Sequence, residues 1–279
     1  MKDLQTTVNG RQLSYLDFGN PDAPCCFFFH GAPMSRLQLA PLEDLISAQG
    51  LRVIAPERPG YGRSSPQLGR SMADWAGDVA ALADTLDIRR FLVAGHSSGG
   101  PYAVACAALL PERVSAALVM AGVTNMAWPD AWEGYLETET TLMRMLSEDA
   151  VIDWCTEHFG SDGSGFLAEP FDLPEPDCSV LTDQCFERAM IEAFRQGIIG
   201  YAQDLFVQGR PWPFDPARIA IPVSVVHGDR DSLLPKAHSL HTASLIPGAT
   251  IKVLPGHGHL SILSDFPGLA AALAWSQGR

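Results

Sequence analysis

A serine stands at the centre of the segment Gly95-His96-Ser97-Ser98-Gly99, which has the pattern Gly-x-Ser-x-Gly. An apolar run ends at Ala94, and the Ala-rich stretch from Tyr102 to Leu110 is typical of a helix. Small residues two positions either side of a serine let a strand turn sharply into a helix, which exposes the hydroxyl in a strained conformation. Backbone N–H groups at the start of such a helix also face developing negative charge. The pattern predicts Ser97 as a nucleophile.

A serine hydroxyl becomes a good nucleophile only when a base takes its proton, so a histidine must lie within hydrogen-bond reach. Two of the eight histidines, His257 and His259, lie in the loop after the last apolar run. We predict His259 as the base because it stands at the junction with a closing helix predicted from Leu260 to Leu263, and His257 is the alternative. His96 precedes the serine directly and points the opposite way from it, so we interpret His96 as a packing residue.

The base in turn needs a carboxylate that holds its tautomer and stabilises the imidazolium. The apolar run that ends at His227 is followed by Gly228-Asp229-Arg230-Asp231, which offers two. We predict Asp231 as this acid, since it has the favoured spacing of three residues after the glycine and four before Pro235; Asp229 is the alternative. The resulting chain order of serine, aspartate and histidine matches the order in hydrolases that carry this serine turn.

These side chains need a scaffold, and short apolar runs that alternate with helical periodicity predict one mostly parallel sheet covered by helices. The runs interpreted as strands, each bounded by Gly, Pro or Asn, are Leu13 to Phe18, Cys25 to Phe29, Arg52 to Ala55, Phe91 to Ala94, Ala116 to Ala121, Val223 to His227 and Ile251 to Leu254.

Two helices are predicted between these strands. Ser71 begins a capping box, and Trp75, Val79, Leu82 and Leu86 then recur at helical spacing. Leu39, Leu42, Leu45 and Ile46 predict an earlier helix with a buried stripe, and Gly50 suits the position just past its end.

The alternation stops between about Thr124 and Asp215, an interval of about 90 residues that far exceeds an ordinary connection. This stretch is rich in Trp, Met, Phe and Tyr with little β alternation, so we predict several helices. The sequence therefore predicts a core domain, residues 1–123 and 217–279, and an inserted helical cap subdomain, residues 124–216.

With these motifs the sequence resembles the α/β-hydrolase superfamily over nearly its whole length, in the subset with a helical cap inserted after strand six. His30-Gly31-Ala32-Pro33 resembles the family's His-Gly-x-Pro loop, which implies the backbone N–H groups of Ala32 and Ser98 as the oxyanion hole. The stretch from Glu57 to Ser64 resembles the family's Asp-Arg-Pro-Gly-x-Gly-x-Ser turn, with Glu57 in place of the usual Asp. We interpret that turn as structural.

The resemblance implies an enzyme that cleaves a carboxylic ester, thioester or lactone through an acyl-enzyme, since family members that open epoxides or displace halide use an aspartate nucleophile. The apolar cap favours a small, largely apolar substrate. One alternative is an aminopeptidase similar to the proline iminopeptidases, in which Glu133, Glu137 or Glu139 would hold a free amine, although His-Gly-Ala-Pro departs from that family's His-Gly-Gly-Pro-Gly loop. A carbon–carbon bond hydrolase and a non-catalytic ligand receptor on the same fold are further alternatives.

Composition limits the partners. The chain has 279 residues, 47% hydrophobic and 18% charged, and its formal net charge of −13 would repel a phosphate backbone and anionic lipid, so neither nucleic acid nor a membrane is expected. The polar amino terminus favours the cytoplasm.

The six cysteines lack zinc-type spacing, so we expect no metal and no cofactor. We also expect reduced thiols rather than the alternative, a Cys178–Cys185 disulfide. The oligomeric state is not predicted.

Overall fold

The computed structural model describes residues 1–168, 172–181 and 183–276. Its centre is an eight-stranded sheet in the order β1-β2-β4-β3-β5-β6-β7-β8. The strands are β1 (Lys2–Val8), β2 (Arg11–Gly19), β3 (Cys25–Phe29), β4 (Arg52–Pro56), β5 (Phe91–His96), β6 (Val114–Met120), β7 (Val223–Gly228) and β8 (Thr250–Leu254). β2 pairs antiparallel with β1 and β4, and every other pairing is parallel. The prediction of a mostly parallel sheet is confirmed.

The seven predicted strands correspond to β2 through β8, and β1 was not predicted. β1 is an edge strand that pairs only with β2. Most of its side chains are exposed or half-buried, and only Val8 is buried. A strand that buries so little side-chain surface has no apolar run for sequence patterns to detect.

Helices cover both faces of the sheet, as predicted. Outside the long segment between β6 and β7, they are α1 (Glu43–Ala48), α2 (Met72–Thr85), α3 (Gly100–Leu109), α10 (Lys236–Leu245) and α11 (Phe266–Ser276). β3 shows how the sheet serves both layers. Phe27 and Phe29 pack into the apolar cluster that holds α2 and α3, whereas Cys26 and Phe28 pack into the cluster that holds α1 and α11. This alternation is the period of two that a strand imposes on its side chains.

The two predicted helices have different outcomes. α2 begins after Ser71, whose backbone N–H donates a 2.7 Å hydrogen bond to Asp74, as a capping box requires. The earlier segment is a 3₁₀ helix at Arg36–Leu42 followed by α1, and the predicted burial of Leu45 is wrong because its side chain is 53% exposed. A 3₁₀ helix has three residues per turn, so the apolar stripe does not continue into α1 in one register.

Residues 124–216, which lie between β6 and β7, are here called the helical insertion. Among its described residues the α-helices are α4 (Glu137–Met143), α5 (Glu148–Phe159), α6 (Ser164–Ala168), α7 (Asp177–Leu181), α8 (Gln184–Ala193) and α9 (Ile199–Gln208). The prediction of several helices is confirmed, and the division into a core domain and a cap subdomain stays a prediction.

A buried charge cluster joins the last helix of the insertion to the sheet domain. The Asp204 carboxylate of α9 accepts hydrogen bonds from Arg58 Nε at 2.8 Å, from the Tyr102 hydroxyl at 2.8 Å and from the Tyr61 hydroxyl at 3.0 Å, and it also pairs with Arg70. A buried carboxylate is tolerated only when such partners replace water. The cluster therefore fixes α9 on the core.

All six cysteines are free thiols, so the Cys178–Cys185 alternative is not formed. Within the described parts of the chain, no helix is long and apolar enough to span a membrane.

Candidate active site

Ser97 lies at the turn between β5 and α3. Its φ is +54°, a left-handed conformation that non-glycine residues rarely adopt, and a short 3₁₀ turn at Ser97–Gly99 leads into the helix. The two flanking glycines have no room for a side chain. A Cβ at Gly95 would overlap the carbonyl of Gly99, and a Cβ at Gly99 would overlap the carbonyl of Phe29. Close packing of strand, turn and helix thus explains both glycines of the motif.

His259 and Asp231 meet at the carboxyl end of the sheet, in the loops after β8 and β7. His259 Nδ1 lies 2.8 Å from Asp231 Oδ2, and the two side chains are 6% and 1% exposed. Because an ionised carboxylate only accepts, Nδ1 carries the proton and donates it to Asp231, which leaves a lone pair on Nε2. An imidazole in this tautomer can accept a proton from another group.

The electrostatics of this pair favour its charged form. Burial alone would raise the pKa of Asp231, but the charge of His259, its hydrogen bond and the Leu234 N–H lower that pKa to about 2. Burial likewise would lower the pKa of His259, and the charge and hydrogen bond of Asp231 outweigh it, so the net pKa is raised. Asp231 Oδ1 also accepts the N–H groups of Leu233 and Leu234 at 2.9 and 2.8 Å, which fixes the carboxylate.

The structure gives the two alternative residues other contacts. His257 Nε2 lies 3.1 Å from a carboxylate oxygen of Asp265. Asp229 Oδ1 accepts the backbone N–H of Gly256 at 2.7 Å. Neither residue lines the cavity that contains Ser97.

His96 and Gln38 form a hydrogen-bonded chain that sequence reasoning missed. Gln38 Oε1 accepts the Gly31 N–H at 2.9 Å, Gln38 Nε2 lies 3.0 Å from His96 Nδ1, and His96 Nε2 lies 2.7 Å from the carbonyl oxygen of His259. Since a carbonyl only accepts, His96 carries its proton on Nε2 and accepts from Gln38 at Nδ1. These hydrogen bonds connect the loop after β3 to the backbone of His259. The interpretation of His96 as a packing residue is therefore incomplete, because its imidazole also holds that backbone.

A cavity of about 90 Å³ lies between the sheet domain and the helical insertion. Ser97 and His259 line it, as do Ala32 and Ser98, the residues expected to supply the oxyanion hole. Most of its other walls are apolar and come from the insertion and from the loop after β7. These apolar residues include Phe166, Leu173, Leu181, Phe186, Met190, Leu205, Leu233 and Leu234. The serine therefore faces a small pocket with an apolar lining.

Glu139 of α4 is an acidic group in this apolar lining. Its carboxylate accepts a 3.1 Å hydrogen bond from the hydroxyl of Tyr201. Burial raises the pKa of Glu139, although that hydrogen bond opposes the shift. Glu133 and Glu137, the other two acidic residues considered from the sequence, are exposed and do not line the cavity.

Comparison with known proteins identifies the family. Residues 26–272 match the sequence model of the alpha/beta hydrolase family. The chain belongs to the alpha/beta hydrolase family. The resemblance to this superfamily, drawn in part from the serine turn and the His-Gly-x-Pro loop, is thereby confirmed.

Individual proteins that resemble the chain share about a third of its residues or fewer. The chain is 31% identical over 222 residues to the uncharacterized hydrolase YcgS of Bacillus subtilis, which covers 76% of each chain. It is 28% identical over 267 residues to the bifunctional esterase/perhydrolase DCH of Acinetobacter calcoaceticus, 91% of each chain. Its structure is similar, with a TM-score of 0.70 and 22% identity, to the enol-lactonase of Burkholderia xenovorans LB400, over 97% of this chain and 98% of the other.

Among the residues that the structure describes, no group of three or more His, Cys, Asp or Glu side chains is arranged to hold a metal ion.

Proposed function

We propose that this alpha/beta hydrolase cleaves a carboxylic ester, thioester or lactone of a small, largely apolar substrate, with Ser97 as nucleophile, His259 as base and Asp231 as the acid that orients it. One observation carries the proposal: the hydrogen-bonded pair of His259 and Asp231 lines, through the imidazole, the same cavity as the strained serine. A buried imidazole that is oriented by a carboxylate and lines the same cavity as a serine is the arrangement that can activate that serine.

In the first half of the reaction, Ser97 Oγ attacks the carbonyl carbon while His259 Nε2 takes the hydroxyl proton. The carbonyl oxygen becomes an oxyanion, which the backbone N–H groups of Ala32 and Ser98 stabilise; one such donor contributes about 3 kcal/mol in the transition state. The tetrahedral intermediate then breaks its bond to the alkoxide or thiolate, which takes the proton from His259. The alcohol or thiol of an ester or thioester leaves the site, whereas the alcohol of a lactone stays attached to the acyl group. The product is an acyl-enzyme on Ser97.

In the second half, His259 takes a proton from water, and the resulting hydroxide attacks the acyl carbon. The bond to Ser97 Oγ breaks as that oxygen regains the proton from His259, and the carboxylic acid leaves. Asp231 stays ionised throughout, because its pKa of about 2 lies far below neutral pH.

The cavity supports a small acyl group. The cavity of about 90 Å³ is larger than the space of about 15 Å³ that a single water molecule requires, but it is well below the roughly 300 Å³ at which pockets for drug-sized ligands begin. We therefore expect acetyl to butyryl esters to be better substrates than long-chain esters. We also propose that the helical insertion acts as the cap subdomain that sets this limit, since it supplies most of the apolar lining.

Turnover of p-nitrophenyl acetate, butyrate and octanoate tests the proposal. We expect Ser97→Ala to lose several orders of magnitude in kcat, and Ser264→Ala, a change at an exposed serine, to retain wild-type turnover. Undiminished hydrolysis by folded Ser97→Ala would contradict the assignment of the nucleophile.

A second candidate function, aminopeptidase activity, has one observation in its favour: the Glu139 carboxylate lies in the cavity, where it could hold the ammonium group of a substrate. Proline p-nitroanilide tests it against the p-nitrophenyl esters. If the protein is an aminopeptidase, the anilide is the better substrate and Glu139→Gln raises its KM sharply. Ester chemistry predicts negligible anilide turnover and little effect of Glu139→Gln on acetate hydrolysis.

A further inference from the structure

The side chain of Asp177 binds the loop that carries His259. Asp177 lies at the first position of α7 in the helical insertion, 82 residues before His259 in the chain. Its Oδ2 accepts the backbone N–H of His259 at 2.6 Å, and its Oδ1 accepts those of Leu260 and Ser261 at 3.0 and 2.9 Å. One carboxylate thus satisfies three successive amides, including that of the proposed base.

This contact is built into the interior. Asp177 is 1% exposed, and among the described residues no basic side chain forms an ion pair with it. The amides therefore supply the hydrogen bonds that a buried carboxylate requires. Gly258 of the His259 loop leaves room for this carboxylate, because a Cβ at Gly258 would overlap the carboxylate oxygens of Asp177.

The position of Asp177 distinguishes it from the other groups that hold His259. Asp231 accepts a hydrogen bond from the imidazole of His259, and His96 donates one to the carbonyl oxygen of His259. Both residues belong to the sheet domain. Asp177 belongs to the insertion, and Leu173 and Leu181, four residues before and after it, line the cavity. A substrate that packs against these two leucines therefore contacts the segment that also fixes the base.

We propose that Asp177 is a positioning residue of the active site, which fixes the backbone of His259 from the insertion and so orients the base. The proposal rests on the role of His259 as the base.

The charge of Asp177 also acts on the imidazole. The titratable groups packed around His259 are Asp231 and His227 of the β7 region, His96 at the end of β5, and Asp177 of the insertion. The negative charges of Asp231 and Asp177 both raise the pKa of His259, against the effect of burial. Removal of the Asp177 charge should therefore lower that pKa, which a purely structural contact elsewhere would not do.

The test compares Asp177→Asn with Asp172→Asn, a matched change at an exposed carboxylate of the same segment. An Asn amide turns its NH₂ group toward at least one of the backbone donors, so the His259 loop loses part of its support. We expect kcat for p-nitrophenyl acetate to fall by about 10- to 100-fold with KM little changed, as a small misplacement of a base produces. Asp172→Asn should match the wild type.

A second readout does not depend on turnover. In protein with ¹⁵N-labelled histidine, the His259 signal, identified by its loss in His259→Gln, should titrate at lower pH in Asp177→Asn than in Asp172→Asn. If Asp177→Asn does not fold, Asp177→Ser, which keeps a short acceptor without the charge, should show the same shift. Equal His259 titrations and equal kcat in the Asp177 and Asp172 variants would overturn the proposal. A wild-type protein without hydrolase activity would instead contradict the proposed function, and the titration alone would then decide the role of Asp177.

Discussion

His96 Nε2 donates a 2.7 Å hydrogen bond to the carbonyl oxygen of His259, and the centroids of the two imidazole rings lie 4.8 Å apart. Burial and the neighbouring charge of His259 lower the pKa of His96 to about 3, so His96 stays neutral at working pH. The two adjacent imidazoles thus differ in role: His96 holds the backbone, while His259 is free to titrate.

The pH profile of hydrolysis should therefore report His259. Protonated imidazole cannot accept the serine proton, so kcat/KM should fall as the pH drops through the pKa of His259. Since that pKa is raised, the acid limb should have an apparent pKa above the ordinary histidine value of 6.5. Steady-state rates for p-nitrophenyl acetate between about pH 5 and 8, the range in which histidine titrates, measure this apparent pKa. A limb well below 6.5 would show that Asp231 does not stabilise the imidazolium as the structure implies.

Asp231→Asn and Asp229→Asn form a matched pair only two positions apart in the chain. An Asn at 231 cannot fix the same histidine tautomer, so kcat should fall by about 10³- to 10⁴-fold. Asp229→Asn should retain most of the activity, because Asp229 binds the Gly256 N–H and not His259. Rate measurements on both variants decide between the two aspartates, and an equal loss in both would contradict the assignment.

Gly99→Ala and Gly77→Ala should change stability in opposite directions. A methyl group at Gly99 would overlap the Phe29 carbonyl, and overpacking of this kind costs about 1–3 kcal/mol of unfolding free energy. Gly77 lies on the exposed side of α2, and nothing lies within 4 Å of the place a methyl group would take, so alanine should stabilise by about 0.5–1 kcal/mol. Urea denaturation measures both, and a neutral Gly99→Ala would show that the serine turn tolerates a side chain.

Asp204→Asn should destabilise the protein by about 3–5 kcal/mol, since it leaves two buried guanidinium groups without their carboxylate. Asp153→Asn, on the exposed side of α5, is the control and should have little effect. Burial alone would raise the pKa of Asp204, but Arg58 and Arg70 lower it below the ordinary 3.8. The difference between the wild type and Asp204→Asn should therefore be complete above pH 3.8 and shrink as the pH falls through the lowered pKa. A difference that does not change with pH would contradict an ionised Asp204.

The fold was predictable where burial leaves a mark in the sequence. β3 and β5 are buried on both faces and therefore read as continuous apolar runs. β1 was not predicted because Val8 is the one buried side chain of that strand. Leu45 was predicted to be buried and is exposed, because a 3₁₀ helix interrupts the α-helical register before it.

The candidate site was predictable to the extent that its chemistry is local. The serine turn has a pattern within five residues, and steric fit at Gly95 and Gly99 accounts for it. Asp177 and Gln38 act across the fold, through contacts between segments far apart in the chain, and no spacing rule identifies such residues. The prolines before Asp177, Pro174 and Pro176, indicate an irregular connection and say nothing of the backbone amides that Asp177 binds.

The most direct test of the central claim is covalent labelling of the intact protein by a fluorophosphonate, which reacts with an activated serine hydroxyl, followed by mass spectrometry of its peptides. We predict one modification, on Ser97, that is absent in Ser97→Ala and greatly slowed in His259→Gln but not in His257→Gln. Labelling of another residue, or rapid labelling of Ser97 without His259, would contradict the proposed nucleophile and base.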